Sequence, residues 1–287
     1  MQQALQRFQI AVDQTYVRFK LLEYRQPRVA PKIPLFIDTT YFTIKTVDKF
    51  SELQEVLRLR YDVFLREGLN KTKSVRVDID RFDSICDHLI IVDKRSNQIV
   101  GTYRLICSSF SDEFYSESEF DLDPLLGKPG IKLELGRACI HKEFRKGTVI
   151  AMLWKGITEY AKLAKAHTLF GCASVQITDF EKISQIYQFL REQRMMSEDL
   201  DIRATKKYRV EGLREYVDSK LNPADYKYIS KEIGDELIPS LLRSYFKAGA
   251  KIGGEPALDQ EFKCIDLLTI LKTDQMSESF ERKYKIQ

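Results

Sequence analysis

Leu5, Phe8, Val12, Tyr16 and Phe19 recur at helical spacing with Arg7, Arg18 and Lys20 among them, so the chain opens on a basic amphipathic segment. Pro27, Pro31 and Pro34 stop any helix and predict an extended linker. From Tyr41 to Val47 the aromatic and β-branched residues predict a strand. A helix follows, capped near Asp48 or Ser51 and closed by Gly68, with an inner stripe of Leu53, Leu57, Arg60 and Phe64. An arginine within an apolar stripe either faces inward onto an anion or snorkels along its stem; the inward orientation is expected for Arg60.

His88–Val92 and Ile99–Cys107 predict an antiparallel pair joined by a polar turn, with Arg104 on the face of Thr102 and Ile106. Ser108–Gly130 predicts a long polar loop of the kind that often serves as a lid. Leu133–Ile140 predicts a buried strand, followed by a basic turn and a helix with the stripe Ile150, Leu153, Trp154, Ile157, Ala161 and Ala164. A strand over Thr168–Val175 and a helix from Asp179 to Leu190 come next. Further on, a helix over Ile238–Lys247, a flexible glycine turn over 248–254 and a last strand over Phe262–Leu271 are expected. The order β-α-β-β-β-α-β-α predicts an α/β sandwich around one mixed sheet.

Composition changes this picture little. An apolar fraction of 44% over 287 residues supports a full core, and a net charge of +4 is too small for a nucleic-acid argument. The five cysteines are scattered without a CxxC pair and no signal segment is visible, which predicts reduced, mostly buried thiols in a cytosolic protein. No apolar run reaches the ~20 residues that span a bilayer. Three well-separated histidines, with no partner pair for Cys139 and His141, predict no metal site.

Three stretches carry candidate chemistry. In strict alternation Glu134 and Arg137 point to opposite faces, but a bulge at Gly136 turns both toward one site beside unpaired N–H groups; the alternative is a surface ion pair on an edge strand. Asp78, Asp80, Asp83 and Asp87 crowd one short segment and gain from a cation, whereas a solvated loop remains open for Asp78 and Asp87. The glycine and terminal glutamate of a calcium loop are missing there. Arg145 and Lys146 beside the helix start at Gly147 and Thr148 suit a phosphate. Residues 197–217 form a further basic segment that meets an acidic partner or only solvent.

Together these stretches resemble the GNAT superfamily, and more closely its ornithine lipid acyltransferases (the hemolysin-like L-ornithine N-acyltransferases) and N-acyl amino acid synthases. The resemblance rests on Leu59–Phe64, Cys86–Ile91, Gly101–Leu105, Phe114–Leu122, Glu134–His141, Leu169–Ser174 and Ser244–Asp259. It implies a GNAT-like catalytic core over residues 41–195, an N-terminal extension over 1–40 and a C-terminal extension over 196–287 packed on the core. It also implies transfer of a long-chain, plain or 3-hydroxy, acyl group from acyl carrier protein to the α-amine of an amino acid such as ornithine. The donor would be a 4′-phosphopantetheine thioester, no cofactor would be tightly bound, and the protein would be cytoplasmic with peripheral membrane contact as an option.

More distantly the chain is similar to acyl-homoserine-lactone synthases, through Arg60 and Phe64, Asp80 and Asp83, Arg104, and Glu134 with Arg137; the tryptophan expected after Phe64 is absent. The family resemblance supports these positions as a group; the roles expected for them make Glu134 the base, directly or through water, with backbone N–H groups around Ala138, Cys139 and Ile140 holding the oxyanion. Arg104 or Arg137 pairs with the substrate carboxylate, while Asp80 and Asp83 receive a cationic side chain or clamp Arg60. Lys142, Arg145, Lys146, Gly147 and Lys155 face the carrier, since the loop has one glycine rather than a glycine-rich CoA cradle. An acetyl-CoA-dependent acetyltransferase, a lactone synthase and a non-enzymatic membrane module are the competing readings.

Overall fold

The computed structural model describes residues 29–69, 76–145, 147–219, 238–277 and 280. The predicted N-terminal amphipathic segment and Lys146 lie outside them. The chain divides into two compact units, the first made of the residues up to Ser111 with Leu135–Ala164, the second of Asp112–Glu134 with the residues from Lys165 on.

The first unit contains β1 (Phe36–Asp38), β2 (Phe42–Thr46), α1 (Phe50–Arg60), β3 (Asp87–Asp93), β4 (Gln98–Cys107) and α2 (Thr148–Leu163). It also holds the C-terminal half of β5 (Ile131–Ile140). Strand β2 pairs antiparallel with β1 and β3, and β3 with β4. The alternation that predicted β2 places Ile44 fully inside. Helix α2 comes close to this sheet because Gly156 lacks a side chain: a Cβ there would lie 2.7 Å from Ile44 and 2.9 Å from Leu89. Its buried stripe is Val149, Leu153, Trp154, Ile157, Tyr160 and Ala161, so the expected Ile150 sits a step off the inner face.

Helix α1 starts at Phe50 behind Lys49, which makes no side-chain cap, and neither Asp48 nor Ser51 caps it. The Asp48 carboxylate is taken by Lys45 at 2.7 Å. From Tyr61 to Gly68 the helix continues as π-helical turns. Val56, Leu57, Leu59 and Arg60 go inside and Leu53 is half-buried; beyond Arg60 the wider turn breaks the 3.6-residue stripe assumed from sequence and leaves Phe64 half-buried.

The second unit contains the N-terminal half of β5, β6 (Ala166–Val175), α3 (Phe180–Glu192), α4 (Leu213–Ser219), α5 (Ser240–Ala248), β7 (Lys251–Ile252), β8 (Ala257–Asp259) and β9 (Cys264–Lys272). Strands β5 and β6 are parallel, with α2 as the intervening crossover in sequence. Strand β9 pairs antiparallel with β6, β7 and β8. One mixed sheet of nine strands results, in the order β1-β2-β3-β4-β5-β6-β9-β7 with β8 also on β9. Asp179 caps α3 by accepting from the Lys182 N–H, as its sequence position predicted.

Two expectations change in this unit. The glycine segment at 248–254 turns at Gly249 as expected but is tightly packed rather than flexible: it carries the short strand Lys251–Ile252, Ile252 is fully buried, and a Cβ at Gly254 would fall on the Ile202 carbonyl oxygen. Within the expected polar lid, the part in this unit is built into the core, with Phe114, Ser116, Phe120, Leu122 and Leu125 buried. Its apolar residues recur too regularly for a free loop, and Tyr115–Ser118 and Asp123–Leu126 form single helical turns. Among the described residues no helix is long and apolar enough to cross a membrane.

Candidate active site

The sequence Asp80-Arg81-Phe82-Asp83 folds as a capping box, in which Asp80 accepts from the Phe82 N–H at 2.9 Å and Asp83 accepts from the Asp80 N–H at 2.8 Å. That reciprocal turn fixes two carboxylates against the arginines of the first unit. Arg60, fully buried, donates through Nε to Asp78 at 2.8 Å and through Nη1 to Asp83 at 2.5 Å. Arg104, also buried, donates through Nη1 to both Asp80 oxygens at 2.8 and 2.7 Å. Arg137 Nη2 reaches Asp80 at 3.0 Å, and its Nε lies 3.6 Å from Asp78.

Three acids therefore meet three guanidinium groups, which is how charges become tolerable indoors. Burial alone would raise the Asp80 carboxyl, but the charges of Arg104, Arg137 and Arg60 outweigh it and hold the group well below the usual carboxylate range. Burial is likewise outweighed at Asp78, by Arg60 and Arg137.

The cluster has a closed end and an open end. Arg60, Arg104 and Asp83 are at most 5% exposed as side chains, whereas Asp80 is 24% and Arg137 17% exposed. The open end thus presents one carboxylate beside one guanidinium. Phe64 lies half-buried on the apolar cluster of Val47, Val56, Leu59, Ile90, Ile99 and Cys139. The solvated alternative fails for Asp78, which is in the cluster, and for Asp87, which is buried. Asp87 accepts from the Lys32 and Ile33 N–H groups at 2.9 Å each and from the Tyr160 hydroxyl at 2.8 Å.

Strand β5 departs from extended geometry at Arg137, whose φ is 50°, rather than at the glycine before it. A non-glycine residue in this left-handed region costs on the order of 1 kcal/mol and is retained where its surroundings hold it, here the Asp80 contact. Leu135 to Ala138 are half-buried, Cys139 is buried and Ile140 half-buried. The Ile140 carbonyl accepts from Arg145 Nε at 3.0 Å, and Arg145 Nη2 donates to Glu67 at 2.7 Å. Lys142 and Gly147 are exposed, Lys155 is half-buried, and Gly147 takes a φ of 95° as the residue that opens α2.

In the second unit Glu134 is only 3% exposed, and its carboxylate accepts from the Tyr115 N–H at 2.8 Å, the Ser116 N–H at 2.7 Å and Ser116 Oγ at 2.6 Å. Cys172 Sγ in turn donates to Ser116 Oγ at 3.3 Å. Tyr115 and Ser116 were not among the sequence candidates. They stand in the Phe114–Leu122 stretch, where adjacent polar residues in an apolar frame were the available signal.

The Acetyltransferase (GNAT) domain family matches residues 59–155, which span every arginine and aspartate of the cluster and Glu134. An L-ornithine N(alpha)-acyltransferase of Rhizobium meliloti is 30% identical over 82% of this chain and 81% of its own length. The protein of the same description in Rhodobacter capsulatus is 28% identical over 85% of this chain and 94% of its own. Among solved structures, a CoA-dependent acyl-homoserine lactone synthase, MesI, aligns at 13% identity over 83% of this chain and 89% of that chain, with a TM-score of 0.45. With that degree of identity along most of both chains, the protein belongs to the GNAT-fold family of the L-ornithine N(alpha)-acyltransferases.

Proposed function

We propose that this acyltransferase moves a long-chain acyl group, plain or 3-hydroxylated, from acyl carrier protein to the α-amine of ornithine. The observation that carries the reading is the half-open Asp80–Arg137 pair at the edge of an otherwise closed arginine–aspartate cluster. One carboxylate beside one guanidinium complements the ammonium and carboxylate of a free amino acid, and a guanidinium fork matches a carboxylate bidentately. The curated relatives are described as acylating the same acceptor class.

In this reading the acceptor amine attacks the thioester carbonyl, the C–N bond forms and the C–S bond breaks. The amine proton passes to Glu134 and the phosphopantetheine thiolate leaves to be protonated. The three donors on Glu134 hold its carboxylate in place for that step. Backbone N–H groups around Ala138, Cys139 and Ile140 are assigned the oxyanion, a contribution of about 3–4 kcal/mol where one such donor has been removed elsewhere. Arg60, Phe64, Asp83 and Arg104 build the wall behind the acceptor. Lys142 and Arg145, with Lys146 and Gly147, are assigned to the acidic carrier and its phosphopantetheine phosphate.

The test is purified chain with ornithine and matched acyl groups on carrier protein and on CoA, read by mass spectrometry beside Glu134→Gln. N-acylornithine formed from the carrier thioester, and at least a hundred-fold more slowly by the variant, is the expected result. Product formed from CoA alone overturns the donor assignment, and equal turnover by a folded Glu134→Gln removes the base.

A further inference from the structure

The second unit contains three more buried acids that the acyl-transfer chemistry does not use. Glu119 follows the helical turn at Tyr115–Ser118, Asp259 ends β8, and Asp266 lies on β9 facing Ser174 of β6 in register. They are 1%, 6% and 5% exposed, and one oxygen from each lies within 4.8 Å of the others.

The neighbours that position them are neutral. Asp259 Oδ1 accepts from the N–H groups of Glu261 and Phe262 at 2.8 and 3.0 Å. Asp266 Oδ1 accepts from Ser174 Oγ at 2.6 Å, and its Oδ2 from the Cys264 thiol at 3.7 Å. Tyr115 and Cys172 approach the Glu119 carboxyl, yet its Oε2 is buried without a hydrogen-bond partner. Among the described residues no lysine or arginine pairs with any of the three. The contrast with the first unit is direct, since there Asp78, Asp80 and Asp83 each meet a guanidinium.

A buried carboxylate oxygen without a donor costs more than a surface one, and three together repel. Burial first, and then the charge of Asp266, push Glu119 up to about 8. Oxygen donors fixed from behind, with one oxygen aimed at a common centre, are what a hard cation uses. Calcium–oxygen distances of about 2.3–2.6 Å set opposite ligands up to ~5 Å apart, which accommodates oxygens that all lie within 4.8 Å of one another.

We propose that Glu119, Asp259 and Asp266 bind one hard divalent cation of calcium or manganese size within the second unit, tying the 112–134 segment to β8 and β9. The spacing of these residues along the chain, with 139 residues between Glu119 and Asp259, hides the site from any motif. The inference is independent of the acceptor and donor assigned above.

The experiment takes the full chain stripped with EDTA, titrates CaCl2 or MnCl2 by calorimetry and follows thermal unfolding at each metal concentration. One ion per chain, with a melting temperature that climbs with metal concentration, is the expected outcome. Glu119→Gln keeps the side-chain shape and removes the carboxylate that would ligate the ion. It should weaken binding at least ten-fold while melting, metal-free, close to the stripped wild type, because the Glu119 carboxyl is already largely protonated there at neutral pH. Failure of both ions to bind at millimolar concentration, or unchanged binding by both Glu119→Gln and Asp266→Asn, overturns the proposal in favour of carboxyls that share protons.

Discussion

At the scale of single residues, the buried guanidinium groups carry the largest expected effects. Arg60→Met would leave Asp78 and Asp83 without their main counter-charge, and breaking such a pair from one side costs about 3–5 kcal/mol, to be read by urea unfolding. Arg137→Gln touches the half-open end instead. It should leave a folded protein whose KM for the amino acid rises ten-fold or more, with a smaller change in kcat. Ser116→Ala removes one of three donors from Glu134 and should lower kcat ten-fold or more at a stability cost of about 1–2 kcal/mol.

His88 supplies a pH dependence. Burial, reinforced by the charges of Arg60 and Arg104, holds its ring neutral with a pKa well below the ordinary value. Below about pH 6.5 the unfolded chain takes up a proton on this ring and the folded chain does not. The contribution is therefore complete above that pH and is lost as the pH falls toward the folded value. Chemical unfolding between pH 7.5 and 5 should show this decline, and His88→Gln should flatten part of it. The inward Arg60 was legible in sequence because an apolar stripe left it no polar face; Asp78 and Asp87 were not, because pairing across 18 and 55 positions leaves no local mark.

At the scale of elements, strands β2, β3, β4, β6 and β9 were readable from alternation and β-branched content, and α3 and α5 from caps and proline. The π-helical continuation of α1 was not, since a widened turn leaves the same apolar residues in the same order and changes only the angle between them. The 248–254 glycines misled for a related reason. Gly249, at a φ of 103°, does close α5, but Gly254 is small so that the Ile202 backbone can pass it. Gly254→Ala should accordingly destabilise the second unit by more than ~3 kcal/mol, since the obstacle is a carbonyl rather than a mobile side chain. Near-complete loss of soluble protein on expression is the simple readout.

On the scale of the whole molecule, the fold family was legible because short motifs fell in a fixed order along the chain, and order survives where identity has drifted to 30%. The division into two units was not legible, because each takes residues from two separate stretches of sequence. That interleaving constrains how the chain is made. Strand β9 has three strand partners, β6, β7 and β8, yet it leaves the ribosome after all of them. Until Cys264–Lys272 is synthesised, one edge of β6 is an open template for other chains. A ribosome stalled or a gene truncated near residue 262 should yield aggregated rather than partly active protein, so a split version of this enzyme that keeps β9 on the smaller fragment would need that fragment supplied during, not after, synthesis of the larger one.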